Sequence, residues 1–242
     1  MSHFNIFDHQ SVAYVVSTMG DGNIDTRFGT SDQVANNLAA ICAQAQIDPA
    51  SIIQMEQVHQ AHVTRVDCSS DGQVVPGADG LLTNDPRVTL MLRLADCVPV
   101  LIYDPETHAI GLVHSGWRGS IGKITLVAIH QMMREFGSRP TDLRLALGPS
   151  IQPASNIWTQ PPWQQQLPEW QPFIGQKDNQ SVVDLPGFIK ATAVAAGVPE
   201  DNIEVSSEDT VSSEHYFSHT RSQKSGESEG RFAVLFKLNP LS

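Results

Sequence analysis

One thiol and two imidazoles stand where they could share a single cation. Cys97 lies in Ala95-Asp96-Cys97-Val98-Pro99, His114 opens His114-Ser115-Gly116-Trp117-Arg118-Gly119, and His59 closes Gln57-Val58-His59. Zinc favours thiolate and imidazole, and three protein ligands leave a fourth position open for water or substrate, which is the arrangement of a catalytic site. The same donors also suit copper. Beside them, Arg118 offers a permanent charge in a planar fork that fits phosphate oxygens. No compact CxxC or HExxH pattern joins the three donors, so a buried free cysteine with two hydrogen-bonded histidines is the competing reading. For Arg118 the competitor is a structural salt bridge. Trp117 is read as a packing element beside glycines. Asp96 has several open roles: orienting a histidine ring, carrying a proton, capping a turn or pairing with Arg93. His62 would leave a strand on the face opposite His59 and is left out of the ligand set.

The elements that must position these residues alternate between extended and helical patterns. Residues 11–17 form a β-branched run, and residues 32–45 show helical spacing through Val34, Leu38 and Ile41. Residues 52–58 return to extended character, which puts His59 at a strand end. Residues 63–66 follow, then a polar turn at Asp71-Gly72, then the loop Gly77-Ala78-Asp79-Gly80 leading to the apolar run 88–94, with Cys97 just beyond it. Residues 100–103 and 110–114 flank the turn Asp104-Pro105-Glu106-Thr107 and are expected to pair as a hairpin that brings Cys97 and His114 to related edges. A single helix is expected from near Gly119 through Ile124, Val127, Ala128 and Met132. Its amino end falls near Ser115 to Gly119, where free amides favour anions, so Ser115 and Arg118 are expected to bind substrate. The Gln-, Pro- and Trp-rich residues 160–172 and the Ser- and Glu-rich residues 206–228 both read as solvated surface. The apolar run 232–238 is expected to rejoin the central sheet.

Composition bounds the rest. With 242 residues, 40% hydrophobic and 17% charged, the chain can bury one substantial core. We expect a mixed α/β fold over residues 1–242: a single-domain layered sandwich with a mixed β-sheet flanked by helices. A formal net charge of −11 argues against binding nucleic acid or an anionic membrane surface. Cys42, Cys68 and Cys97 are too few, and odd in number, for a disulfide framework, which fits a reducing compartment. The first residues lack a basic segment followed by an apolar stretch, so the expected location is cytoplasmic. Apolar runs fall short of the roughly 20 residues that span a bilayer.

QVH, ADCxP and HSGWRG, together with Asp184-Leu185-Pro186-Gly187 and Gly230-Arg231, resemble the multicopper polyphenol oxidase (laccase-like) or YfiH/YlmD family. The resemblance runs from about Val12 to Leu238. It implies a zinc-dependent purine nucleoside phosphorylase acting on inosine, adenosine or methylthioadenosine, with adenosine deaminase activity as a further family trait. It implies His59, Cys97 and His114 as zinc ligands, Arg118 as the phosphate binder, and purine nucleoside and phosphate as partners. Asp96 is the candidate proton carrier, and a monomer or small homo-oligomer is expected. Two rivals are a copper-dependent phenol oxidase and a noncatalytic or cell-wall editing factor with a diverged pocket. Several departures bear on the pocket. Met19 and Leu38 stand where the family has arginines, and Arg27 is the candidate to supply the lost charge to substrate. His219 and Thr220 replace an aromatic and an arginine. Gln152-Pro153-Ala154-Ser155-Asn156-Ile157-Trp158 stands in place of GPCCYEV.

Overall fold

The expected hairpin is the centre of the molecule. In the computed structural model, which describes residues 4–70 and 74–240, β7 (Val98–Asp104) pairs antiparallel with β8 (Ala109–Ser115), Val98 opposite Ser115 and Pro99 opposite His114. Around it a six-stranded sheet runs in the order β13 (Ile203–Val205), β9 (Arg144–Leu147), β7, β8, β5 (Gly80–Thr83), β3 (Val63–Arg65). A five-stranded sheet runs β1 (Val12–Val16), β14 (Phe232–Leu238), β6 (Thr89–Leu94), β2 (Ile52–Met55), β4 (Val74–Val75). A small three-stranded sheet is formed by β10 (Ile157–Trp158), β12 (Gln180–Val183) and β11 (Ile174–Lys177).

The mixed α/β layered sandwich is thus observed, with its central layer divided into two facing sheets. Alternation along each strand shows why. Leu90, Leu92 and Leu94 of β6 and Phe232, Val234 and Phe236 of β14 point to one face. There they share a core with Leu101 and Tyr103 of β7 and Ile110 and Leu112 of β8. Met91, Ala233 and Leu235 point the other way, onto Ile41 and Cys42 of α1 (Ser31–Ala45). The outer face of the six-stranded sheet, with Val100, Ile102, Val113 and Leu145, is covered by α3 (Ile124–Phe136) and α4 (Leu185–Ala195). Each buried aliphatic side chain contributes roughly 1.5–3 kcal/mol, so both faces of both sheets need their cover.

The single helix expected after Gly119 is two. α2 (Trp117–Ile121) ends at Gly122, and Lys123, at φ 55°, turns the chain before α3 begins. The strand expected over residues 52–58 stops at Met55, and the turn at Asp71-Gly72 lies outside the described residues. Residues 160–172 are not a solvated connector throughout: Trp170 is buried and stacks on Phe188 at 3.5 Å between ring centroids. The polar run 206–228 likewise buries Thr210, Tyr216 and Phe217, and it contains α5 (His219–Ser225). Among the described residues no helix is long and apolar enough to cross a membrane.

Candidate metal centre and cavity

The inter-sheet alternation continues past the ends of the central hairpin and selects two of the three donors. Cys97 shares a face with Pro99, Leu101 and Tyr103, and His114 shares one with Leu112 and Ile110, so both point between the sheets at one open end. His59 arrives from the loop after β2. With Gln57 at φ 60° and His59 at φ 61°, this loop uses a backbone region that non-glycine residues seldom occupy, at a cost on the order of 1 kcal/mol each. Two devices hold it. The Gln57 carboxamide donates to the Arg93 carbonyl at 2.7 Å and accepts from the Arg93 N–H at 2.9 Å. The buried Asp79 carboxylate accepts from the N–H groups of Val58, His59 and Gln60 at 3.2, 2.9 and 2.8 Å.

Asp79 also reaches His114, whose Nδ1 lies 2.9 Å from Oδ1. One carboxylate therefore fixes the His59 loop and the His114 ring together. That contact leaves Nε2 of His114 as the nitrogen turned to a cation, the usual outer partner of a metal-binding histidine. Donor atoms of His59, Cys97 and His114 all lie within 4.8 Å of one another. The two imidazoles meet edge to face, their centroids 4.8 Å apart. Glycine is required beside them for space: a Cβ on Gly116 would sit 2.9 Å from the Cys97 sulfur and 3.6 Å from a ring carbon of His59. One on Gly119 would sit 3.3 Å from the Gln60 carbonyl.

The donor set is electrically polarised even without an ion. Burial pushes the Cys97 thiol up, but the His114 and His59 imidazoles outweigh it and bring it down to about 6. Burial pushes His114 down, and the Cys97 sulfur and the Asp79 carboxylate outweigh that and raise it to about 9. The two titrate as a pair. Stability from the lowered thiol is full above the ordinary thiol value and is lost as pH falls from there to about 6. Stability from the raised imidazole is full below the ordinary histidine value and lost as pH rises through about 9. The metal-free protein is therefore expected to show thiolate ultraviolet absorbance down to about pH 6, absent in Cys97→Ala.

The donors open on a cavity of about 510 Å³. Its wall includes Arg27, Arg93, Arg118 and Arg231, the aromatic rings of Trp117 and Trp158, and Asp96, Asn156, His219 and Thr220. Three of the arginines have carboxylate partners. Arg27 binds Asp25 through two nitrogens, Arg93 lies 3.9 Å from Asp25, and Arg231 contacts Glu229 at 2.9 Å. Arg118 is exposed, lies 4.0 Å over the Trp117 ring, and has no carboxylate partner among the described residues. The structural salt bridge weighed for Arg118 is absent there.

The profile of the multi-copper polyphenol oxidoreductase laccase family matches residues 15–239. The chain belongs to this family. Purine nucleoside phosphorylase YlmD of Geobacillus stearothermophilus is 35% identical over 184 residues, which cover 69% of this chain and 65% of that protein. A purine nucleoside phosphorylase of Deinococcus radiodurans is 33% identical over 129 residues, covering 53% of this chain and 49% of that protein. The matched stretches thus span less than two thirds of either relative. The crystal structure of YlmD from Geobacillus stearothermophilus superposes with a TM-score of 0.84 at 27% identity, covering 98% of this chain and 94% of that one. Bacillus licheniformis hypothetical protein YfiH shares the fold, with a TM-score of 0.85 at 24% identity over 94% and 93% of the two chains.

In this family member the structure brings together His59, Cys97 and His114, sets Arg118 and Arg27 on the lining of one cavity, and leaves two residues out of it. His62 stays apart, its Nδ1 3.2 Å from the Gly77 carbonyl. Ser115, expected to bind substrate, is fully buried and pairs with the Ser120 hydroxyl at 2.9 Å, because strand alternation turns it away from the face that carries His114. Asp96, the candidate proton carrier, lines the cavity. At φ 81° its two carboxylate oxygens accept from the Thr210 hydroxyl and the Thr220 N–H, each at 2.7 Å. It ties the first turn of α5 to the cavity wall. Neither Met19 nor Leu38 lines the cavity: Met19 contacts Arg221, and Leu38 packs from α1 against the core that holds Met91 and Leu235. Asp79 is the residue that sequence reasoning missed as a site member. A carboxylate between small residues reads as a turn, and only its position opposite two donor-bearing loops gives it away.

Proposed function

We propose that this chain is a metal-dependent purine nucleoside phosphorylase, with zinc held by His59, Cys97 and His114. The observation that carries the reading is the unpaired Arg118 on the wall of the cavity into which this donor set opens. An arginine kept free of carboxylates beside a water-accessible cavity is suited to a phosphate dianion. Two imidazoles and one thiolate leave a coordination position open, as catalytic zinc sites do. An ion bound there would supply Lewis acidity and positive charge facing the cavity.

In the reaction, a phosphate oxygen held by Arg118 forms a bond to the anomeric carbon while the glycosidic C–N bond breaks. The bond pair leaves with the purine, which takes up a proton, and the sugar departs as its 1-phosphate. Arg118 orients the nucleophile and balances its charge; fixing both reactants at one wall is the main contribution asked of the protein. Arg27, held by Asp25 and lining the same cavity, is assigned a contact to the substrate. Asp96 acts by positioning α5. Inosine and adenosine are the nucleosides we expect to be turned over, and deamination of adenosine is a second activity compatible with the same centre. The oxidase alternative is disfavoured because one cluster alone among the described residues groups three or more candidate metal donors, whereas a multinuclear copper centre needs further histidines.

The test is release of base from inosine by the zinc-loaded protein with and without phosphate. Strict phosphate dependence is expected. Arg118→Ala is expected to raise KM for phosphate by at least about tenfold, as loss of a charge-assisted contact does, with KM for inosine little changed. Release without phosphate would identify a hydrolase instead.

A further inference from the structure

Within the phosphorylase reading, we propose that Trp158 and Asn156 form the subsite for the purine base. Both line the cavity. β10 carries them into place by pairing with β12, Trp158 opposite Ser181 and Ile157 opposite Val182. The Asn156 side chain is buried and held at both ends: its Nδ2 donates to the Val183 carbonyl at 2.9 Å, and its Oδ1 accepts from the Trp158 indole N–H at 2.6 Å. The Val183 N–H in turn donates to the Asn156 carbonyl at 3.0 Å.

A carboxamide has two N–H donors and two acceptor positions on oxygen. Here one of each is spent on the protein, which fixes the orientation of the group and leaves one donor and one acceptor. Adenine presents a complementary pair in its 6-amino group and ring nitrogen, and hypoxanthine does so in its 6-oxo group and N1–H. The indole ring beside it is a flat apolar surface of matching size. Trp117 meets Trp158 at 78° with centroids 6.0 Å apart, and one side of Trp117 is already occupied by the Arg118 guanidinium. Stacking therefore falls to Trp158. The base then lies on Trp158 and Asn156, phosphate on Arg118, and the sugar between them.

The experiment is calorimetric titration of the zinc-loaded full chain with inosine alone, so that nothing turns over, and separately with inorganic phosphate. Trp158→Leu is expected to weaken inosine binding about tenfold or more, the range for loss of base stacking on an aromatic side chain, while phosphate affinity stays unchanged. Trp158→Phe retains a ring and is expected to recover most of the affinity. It also removes the N–H that orients Asn156, so the ratio of inosine to adenosine affinity should move toward one. Equal inosine affinity in wild type and Trp158→Leu overturns the subsite and leaves the phosphorylase reading standing. Joint loss of inosine and phosphate binding in Trp158→Leu also overturns it, since the ring would then support the whole cavity. Wild-type protein that neither binds nor turns over inosine overturns both.

Discussion

Cys97→Ala protein is expected to retain only a small fraction of the zinc bound by wild type and to lose phosphate-dependent base release with it. Cys97 is the sole sulfur in the cluster, and its removal leaves two imidazoles for the ion. It also removes the anion that, with Asp79, holds His114 well above the ordinary histidine value. The loss of affinity should exceed the roughly 10–100-fold that follows removal of an outer hydrogen-bond partner, because a direct ligand is gone. The fold should survive, since the thiol is only partly buried and an alanine methyl fits the same space between the sheets. Metal content by mass spectrometry after dialysis, with a thermal unfolding curve on the same sample, separates the two effects. Near-stoichiometric zinc in Cys97→Ala would instead select the reading of Cys97 as an ordinary half-buried cysteine.

Cys97 and His114 were legible before the fold because both sit where an apolar run ends. Period-two alternation through Ile110, Leu112 and His114, and through Cys97, Pro99 and Leu101, carries the core pattern straight into the site. Helix α1 was equally plain, since Thr30 caps it by accepting from the Gln33 N–H and its apolar residues recur at helical spacing. What local pattern could not show was partnership across long separations. The polarity of residues 206–228 says surface, yet Thr210 and Thr220 close on Asp96 more than a hundred positions earlier. Hydrophobic spacing runs unbroken from Ile121 to Ile124, so the turn at Lys123 between α2 and α3 leaves no trace in periodicity. Nor does alternation alone assign strands to sheets. β2 joins β6 and β3 joins β5 in parallel pairs that place consecutive segments in opposite layers, and the His59 loop crosses between them. That crossing is the physical reason a residue from the third segment reaches a site built on the central hairpin.

The crossing also makes Asp79 the most consequential residue that binds no ion. Its Oδ1 accepts from the His59 N–H and lies against His114, while its Oδ2 accepts from Val58 and Gln60. Asparagine in this place turns an NH₂ toward donors whichever way it rotates, so buried N–H groups lose their acceptor. At roughly 1–3 kcal/mol for each unsatisfied group, two such losses cost Asp79→Asn about 2–6 kcal/mol of stability. The left-handed His59 backbone loses its anchor at the same time, and the His114 ring loses the contact that fixes which nitrogen faces the ion. Zinc affinity is therefore expected to fall roughly 10–100-fold even though every ligand remains. The acid limb should change as well. Burial pushes the Asp79 carboxyl up, but His114 and the backbone N–H groups of Gln60 and His59 outweigh it and hold it below the usual carboxylate range. Its stabilisation is present above the unfolded carboxylate value and lost as pH falls through the lowered one. Wild type should lose stability along that limb, and Asp79→Asn should lack this component. Chelator competition for zinc and denaturant unfolding at neutral and acid pH measure both effects. An unaltered zinc affinity in Asp79→Asn would mean that the three ligands hold their positions without the carboxylate that joins them.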